Sequence, residues 1–262
     1  IDDLIVYRCD EKEYMLVVNA ANIEKDWNWL SSQIKKFSCN LHNESENIGL
    51  ISVQGPKSLE LINDIFNNDF GSIKKFNFKS FNHWNSKITI SNTGYTGSPG
   101  YELYINNDII VDTWKSLYSK KEKYSLCAVG LGARDTLRIE VGYPLYGNEI
   151  NDSTTPHEAN LMWVTDLNKD FIGKNRILES INNSTKKLVG FKMIDRGIPR
   201  KGYNIFNLDN KLIGKVTSGT FSPLNKVGLG MAMIDFNGFK SNEFYIEIRN
   251  KLSKAMITKL SI

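Results

Sequence analysis

A chain of 262 residues exceeds the usual size of a single hydrophobic core, so two or more lobes are expected. With 41% hydrophobic and 24% charged residues the composition is that of an ordinary soluble globular protein. The net charge of +4, from 33 Lys and Arg against 29 Asp and Glu, is spread without any long basic run, which argues against a nucleic-acid partner. Cys9, Cys39 and Cys127 are scattered and form no CxxC, which argues against a disulfide framework and a zinc site and points to a reducing compartment. No apolar run approaches the length needed to span a bilayer, so no membrane partner is expected.

In chain order, "DDLIVYR" and "EYMLVVNA" are β-rich runs that read as a hairpin. The first residues resemble the middle of a strand, so sequence upstream is expected. "NIEKDWNWLSSQIKKF" sets Ile23, Trp27, Leu30 and Ile34 at helical spacing, with Asn22 as N-cap and Glu24 and Asp26 in the first turn. "ENIGLISVQGPKSLELINDIF" reads as strand, turn and amphipathic helix, and residues 76–90 alternate as strands do. The glycine-rich "SNTGYTGSPGYELYI" follows, then the helices "DIIVDTWKSLYSKK" and "GLGARDTLRIE", the second running into turns between Gly142 and Gly147. From about Lys187 only short strands and turns remain, which predicts a small β-barrel or sandwich. The division expected is 1–180 and 181–262.

Several side chains carry chemistry. After the glycine-rich loop, Glu102 can accept two parallel hydrogen bonds from a planar N–H pair such as a pterin edge, and Tyr95 can stack on a flat ring; an exposed glutamate on a hairpin loop is the simpler alternative. "GARDTLRIE" places Arg134 and Arg138 at i and i+4, either as a fork for a carboxylate or as surface charge, with Asp135 in reach of Arg138. Tyr143 and Tyr146 lie just beyond. Asp2 and Asp3 are neighbours, so in a strand only one faces inward, where burial would raise its pKa and suit it to act as a base; solvated acids at a strand end are the alternative. His42, His83 and His157 lack ligand spacing, so no metal is expected, and Cys127 sits in an apolar stretch that makes it inert.

Eight blocks taken in order, "VVNAANIEKDW", "VQGPKSLELI", "NTGYTGSPGYELYI", "GLGARDTLRIEVGYPLYGNEI", "TTPHEA", "FIGK", "RGIPRKGY" and "GKVTSGTFSP", resemble the aminomethyltransferase (T-protein) family of the glycine cleavage system. The resemblance covers the whole chain. It implies an α+β, multi-lobed folate-binding fold with a C-terminal β-barrel domain. It also implies transfer of the methylene carried on the lipoyl arm of the H-protein to tetrahydrofolate, with release of ammonia and no metal. Carried over by position, it makes Asp3 the essential carboxylate, with Asp2 as the lesser choice, and makes Tyr95, Glu102, Arg134 and Tyr143 folate contacts. A bacterial cytoplasm follows, or a mitochondrial matrix if the source is eukaryotic. Family members begin well before "DDLIV" and continue past "KLSI", and "HEANLMW" carries Asn160 and Met162 where small residues are common. Related folate domains of sarcosine and dimethylglycine enzymes, a sulfonium demethylase and a non-enzymatic iron–sulfur assembly protein are the alternatives. The absence of a flavin-binding region and of a cysteine block places them behind.

Overall fold

The computed structural model describes residues 2–237 and 239–259. Strands β1 (Ile5–Arg8) and β2 (Tyr14–Val17) pair antiparallel, giving the expected hairpin. Asp2 and Asp3 lie ahead of β1 in irregular chain. The strand alternation that would turn one of them away therefore does not operate, and both stay half-buried on the same neighbours. Helix α1 (Ile23–Ile34) follows a 3-10 turn, Ala20–Asn22. Asn22 belongs to that turn and its amide donates to Asp2 at 2.7 Å, so it serves the acid and not the helix end.

Next come β3 (Ile48–Gln54), α2 (Ser58–Phe66), β4 (Phe78–His83), β5 (Ser86–Ser91), β6 (Gly100–Asn106), α3 (Asn107–Ser119) and the short α4 (Lys121–Tyr124). The alternating stretch 76–90 breaks in two because Trp84 and Asn85 adopt φ of 47° and 58°, the left-handed pair that closes a two-residue hairpin. The four strands form one antiparallel sheet in the order β3-β6-β5-β4, with α2 and α3 packed on it. Leu61, Ile62 and Phe66 of α2 meet Ile88, Ile90, Leu103 and Ile105 of the sheet, which is the core that period-3.6 and period-2 patterns would build together.

Helices α5 (Leu131–Glu140) and α6 (Lys174–Asn183) lead to β7 (Lys186–Met193), β8 (Asn204–Phe206), β9 (Leu212–Ser222), β10 (Val227–Asp235), β11 (Glu243–Ile248) and β12 (Lys251–Ile257). These six strands close into a barrel in the order β10-β7-β12-β11-β8-β9, which leaves no unpaired edge. Its interior is apolar, with Phe191, Ile205, Val216, Ala232, Ile234, Phe244 and Ile246 fully or nearly buried. The chain divides into two compact units, Trp27–Arg134 and the remainder.

A register shift opposite Met231 and Ala232 re-aims β9. Cross-strand partners share a face, so Val216, opposite Ala232, points into the barrel, while Ser218, opposite Met231, points out. That outer face of Ser218, Thr220 and Ser222 receives α5. Arg138 Nη2 donates to Ser218 Oγ at 2.6 Å, the Thr136 and Thr220 hydroxyls lie 3.0 Å apart, and Ser222 donates to Glu140. Two sequence blocks that lie about eighty residues apart, "GARDTLRIE" and "GKVTSGTFSP", thus fasten one another.

Candidate active site

In the unit that holds the barrel, Asp2 and Asp3 converge on one side-chain amide. Asn19 Nδ2 lies 2.7 Å from Asp2 Oδ1 and 2.6 Å from Asp3 Oδ1. Asp2 also accepts from Asn22 Nδ2 at 2.7 Å, from the Asp3 amide at 3.0 Å and from the Asn19 amide at 3.1 Å, which fills the lone pairs of a carboxylate. Burial acts to raise the Asp2 pKa, but hydrogen bonds from Asp26, Asn19 and Asn22 outweigh it and hold the group below its ordinary value. Asp3 has fewer donors, Asn19 Nδ2 and the Tyr146 amide, and burial pushes it up to about 6, with the nearby Asp2 charge adding to the rise. The two neighbours are therefore chemically distinct: Asp2 is a fixed anion, and Asp3 is a carboxyl that exchanges its proton near neutrality.

The Tyr146 amide is supplied by the turn after α5, and that turn is tied to Arg138. Arg138 is fully buried and makes ion pairs to Glu149 and Asp135, both at 2.7 Å, so the expected Asp135–Arg138 pairing is present. Its Nη1 also donates to the Tyr143 carbonyl at 3.1 Å, and Glu149 accepts from the Leu145 amide at 3.0 Å. Of the two readings of Arg134 and Arg138, the fork does not form: Arg138 turns inward as a structural cation while Arg134 stays exposed. Tyr143, half-buried, lies in this same turn. On the outside of the turn Lys25 Nζ sits 3.8 Å over the Tyr146 ring, and Tyr146 donates to Asp152 at 2.7 Å.

The other candidate residues belong to the unit Trp27–Arg134. On β6, Glu102 pairs with Ser91 of β5 and Ser52 of β3 and is half-buried. Thr93 donates to its Oε2, while Oε1 accepts no hydrogen bond among the described residues. The Arg134 guanidinium lies 5.6 Å over the Tyr95 ring and has no carboxylate partner among the described residues. The structure thus joins Arg134 to Tyr95 and Asp3 to the turn that carries Tyr143.

The glycines of "NTGYTGSPGY" have a cause that the sequence does not display. A Cβ on either Gly94 or Gly100 would overlap the Gln54 side chain, whose amide donates to the Thr93 and Tyr101 carbonyls at 3.2 and 3.3 Å. These two glycines make room for a protein side chain and not for a ligand; Gly97, at φ 73°, serves the turn. Gly94→Ala is expected to expel Gln54, lowering stability by about 1–3 kcal/mol in urea unfolding as two buried carbonyls lose their donor, whereas Gly94→Ala with Gln54→Ala regains part of that loss.

The part that Asn19, Asn22, Asp26 and Gln54 play around the candidate residues escaped the sequence reading, which took Asn22 as a cap and Asp26 as a first-turn acid. The first three stand in the "VVNAANIEKDW" block, where cap and dipole roles account for them equally well. A surface cleft of about 350 Å³ lined by Glu158, Arg176 and Lys186 contains none of the candidate residues. Cys127, expected in apolar surroundings, is exposed.

Comparison with known proteins adds a second line of support. Residues 1–169 match the family described as the GCVT N-terminal domain, and residues 186–262 match the glycine cleavage T-protein C-terminal barrel domain. An aminomethyltransferase of Bacteroides thetaiotaomicron is 43% identical over 264 positions, covering 99% of this chain and 73% of that protein. One from Thermosipho melanesiensis is 43% identical over 263 positions, covering 99% and 71%. The crystal structure of the glycine cleavage system aminomethyltransferase T from Bartonella henselae superposes with a TM-score of 0.90 at 29% identity, covering 100% of this chain and 72% of the other.

Proposed function

Because the chain belongs to the glycine cleavage T-protein family of aminomethyltransferases, we propose that Asp3, Tyr95, Glu102, Arg134 and Tyr143 are the residues through which it holds and activates tetrahydrofolate. Its activity is aminomethyl transfer in the glycine cleavage system. The family depends on folate in general and works with the H-protein; the lipoyl-bound aminomethyl group is the donor in this reading. We assign folate binding to residues 1–180 and place the barrel domain at 181–262. A bacterial cytoplasm is the proposed location, in keeping with bacterial relatives.

The observation that carries the folate assignment is Glu102. Thr93 pins one of its oxygens and the other accepts no hydrogen bond among the described residues, so this half-buried carboxylate keeps capacity for a planar N–H pair. Arg134 and Tyr95 offer a cation and a flat ring, which suits an anionic, aromatic ligand. In the reaction, folate N5 attacks the methylene carbon of the protonated aminomethyl thioether. The C–S and C–N bonds break, N5 and N10 both bond to that carbon, and the two protons they release go to the lipoyl sulfur and to ammonia. Most of the acceleration comes from holding the two reactants together. Asp3 accepts a hydrogen bond from a folate amine and stabilises the positive charge that develops.

The test is formation of 5,10-methylenetetrahydrofolate and ammonia from aminomethylated H-protein. Glu102→Gln keeps the size of the side chain and removes the charge, so it is expected to raise KM for folate by about 10–100-fold, as loss of a charge-assisted pair does, with kcat changed little. An unchanged folate KM would refute the assignment of Glu102.

A further inference from the structure

We propose that Asn148 is a positioning residue for folate binding: held between Lys201 and Ser218, it fixes the turn that carries Tyr143. Two glycines in the left-handed region punctuate this turn, Gly142 at φ 80° just before Tyr143 and Gly147 at φ 88° just before Asn148. Internal bonds close it, from the Tyr143 amide to the Arg138 carbonyl at 2.9 Å, from the Gly147 amide to the Ile150 carbonyl at 2.7 Å and from the Asn148 amide to the Leu145 carbonyl at 3.0 Å. Its placement on the barrel needs ties from outside. Lys201 Nζ donates to the Gly147 carbonyl and to Asn148 Oδ1, both at 2.7 Å, and Asn148 Nδ2 donates to Ser218 Oγ at 3.1 Å. The orientation of the amide follows from chemistry. An ammonium group only donates, so Lys201 meets the amide oxygen, and that turns Nδ2 towards Ser218. Ser218 Oγ also accepts from Arg138 Nη2 at 2.6 Å, so two N–H donors occupy its lone pairs and its own proton remains to be given. Both anchors are themselves fixed. Ser218 lies on β9 and is 3% exposed. Lys201 is exposed, but its root is held: the Gly202 amide donates to the Val216 carbonyl at 2.8 Å and the Val216 amide to the Tyr203 carbonyl at 2.9 Å. Pro199 sits so closely on β9 that a Cβ on Gly219 would come within 2.6 Å of its carbonyl oxygen. Asn148 is therefore gripped on one side by β9 and on the other by a loop seated against the same strand, and it passes the position of that strand to the turn.

This inference rests on the reading in which Tyr143 touches folate, and its test separates the two. In the full-length protein, Asn148→Ala is expected to raise KM for tetrahydrofolate by about tenfold with kcat changed less than about threefold, a split that a loss of folded protein alone does not produce. Asn148→Asp keeps an oxygen for Lys201 and accepts the spare proton of Ser218, so it is expected to bring KM back to within about threefold of the parent. Placed in a Tyr143→Ala background, Asn148→Ala is expected to add less than about twofold, because it acts through the residue already removed. An unchanged KM in Asn148→Ala, an Asn148→Asp variant as impaired as Asn148→Ala, or full additivity with Tyr143→Ala overturns the proposal. Hydrogen exchange of the Tyr143, Gly147 and Asn148 amides reads the turn itself, without folate. Loss of the two side-chain bonds of Asn148 is expected to speed it by about tenfold or more at an unchanged global unfolding midpoint, and unchanged exchange sinks the proposal. Lys201→Met, a change at an exposed side chain, is expected to speed the same amides and decides the matter if Asn148→Ala fails to fold. If Tyr143→Ala leaves KM for folate unchanged, the folate role of Tyr143 fails instead, while exchange still decides whether Asn148 holds the turn.

Discussion

Arg138→Met is expected to lower the unfolding free energy by about 3–5 kcal/mol. The cause is the partner left behind. Arg138 and Glu149 have side chains 1% and 0% exposed, and they meet at 2.7 Å. Glu149 Oε1 already lacks a donor among the described residues, so removing the cation leaves a buried carboxylate without its counter-charge. The same change removes the Arg138 hydrogen bonds to Ser218 and to the Tyr143 carbonyl, loosening α5 from β9 and the turn that brings the Tyr146 amide to Asp3. The double variant Arg138→Met with Glu149→Leu removes both charges and is expected to regain most of the loss, since a buried ion pair is often replaceable by apolar groups of similar volume. Urea unfolding with an unchanged slope tests this. A single variant within about 1 kcal/mol of the parent would show that the pair is not buried in solution.

Asp3→Ala is expected to lower kcat by about 10²–10³-fold, the range for loss of a positioned acid–base or charge-stabilising group, with folate affinity nearly intact. Equal losses in both would make Asp3 a binding residue. The pH dependence has a defined sign. Burial lifts the Asp3 pKa from 3.8 to about 6, so the folded state holds this proton more tightly than the unfolded state does. Its contribution to stability is full below pH 3.8, falls as pH rises to about 6 and is constant above. Asp3→Asn should therefore raise the unfolding free energy at pH 8 relative to the parent by about 1 kcal/mol after allowing for solvent screening, and leave it nearly unchanged near pH 4. A site carboxylate kept at a cost to stability fits a group retained for chemistry.

Local patterns revealed the elements that rest on periodicity. The barrel strands, the β1–β2 hairpin and α2 all announce themselves through alternation or helical spacing. What stayed hidden depends on contacts distant in sequence. The bulge that turns Ser218 outward is a pairing event with β10, and no feature of "KVTSGTFS" marks it. The burial of Arg138 requires Glu149 and Ser218, eleven and eighty residues away, so spacing alone left only a fork with Arg134 or surface charge as readings. Asp2 and Asp3 misled a strand argument because β1 begins two residues after them. Glu102, Tyr95 and Arg134 were legible as types in a motif, and resemblance gave them roles; the supports at Thr93 and Gln54 were not.

Calorimetric titration of 5-methyltetrahydrofolate, which binds without reacting, into the full-length protein and its Glu102→Ala variant tests the central claim most directly. Saturable one-to-one binding that Glu102→Ala weakens by about 100-fold or more is predicted, from loss of a charge-assisted hydrogen-bond pair. Equal affinity in the two proteins, or no binding by the parent, would contradict the assignment of folate to this site.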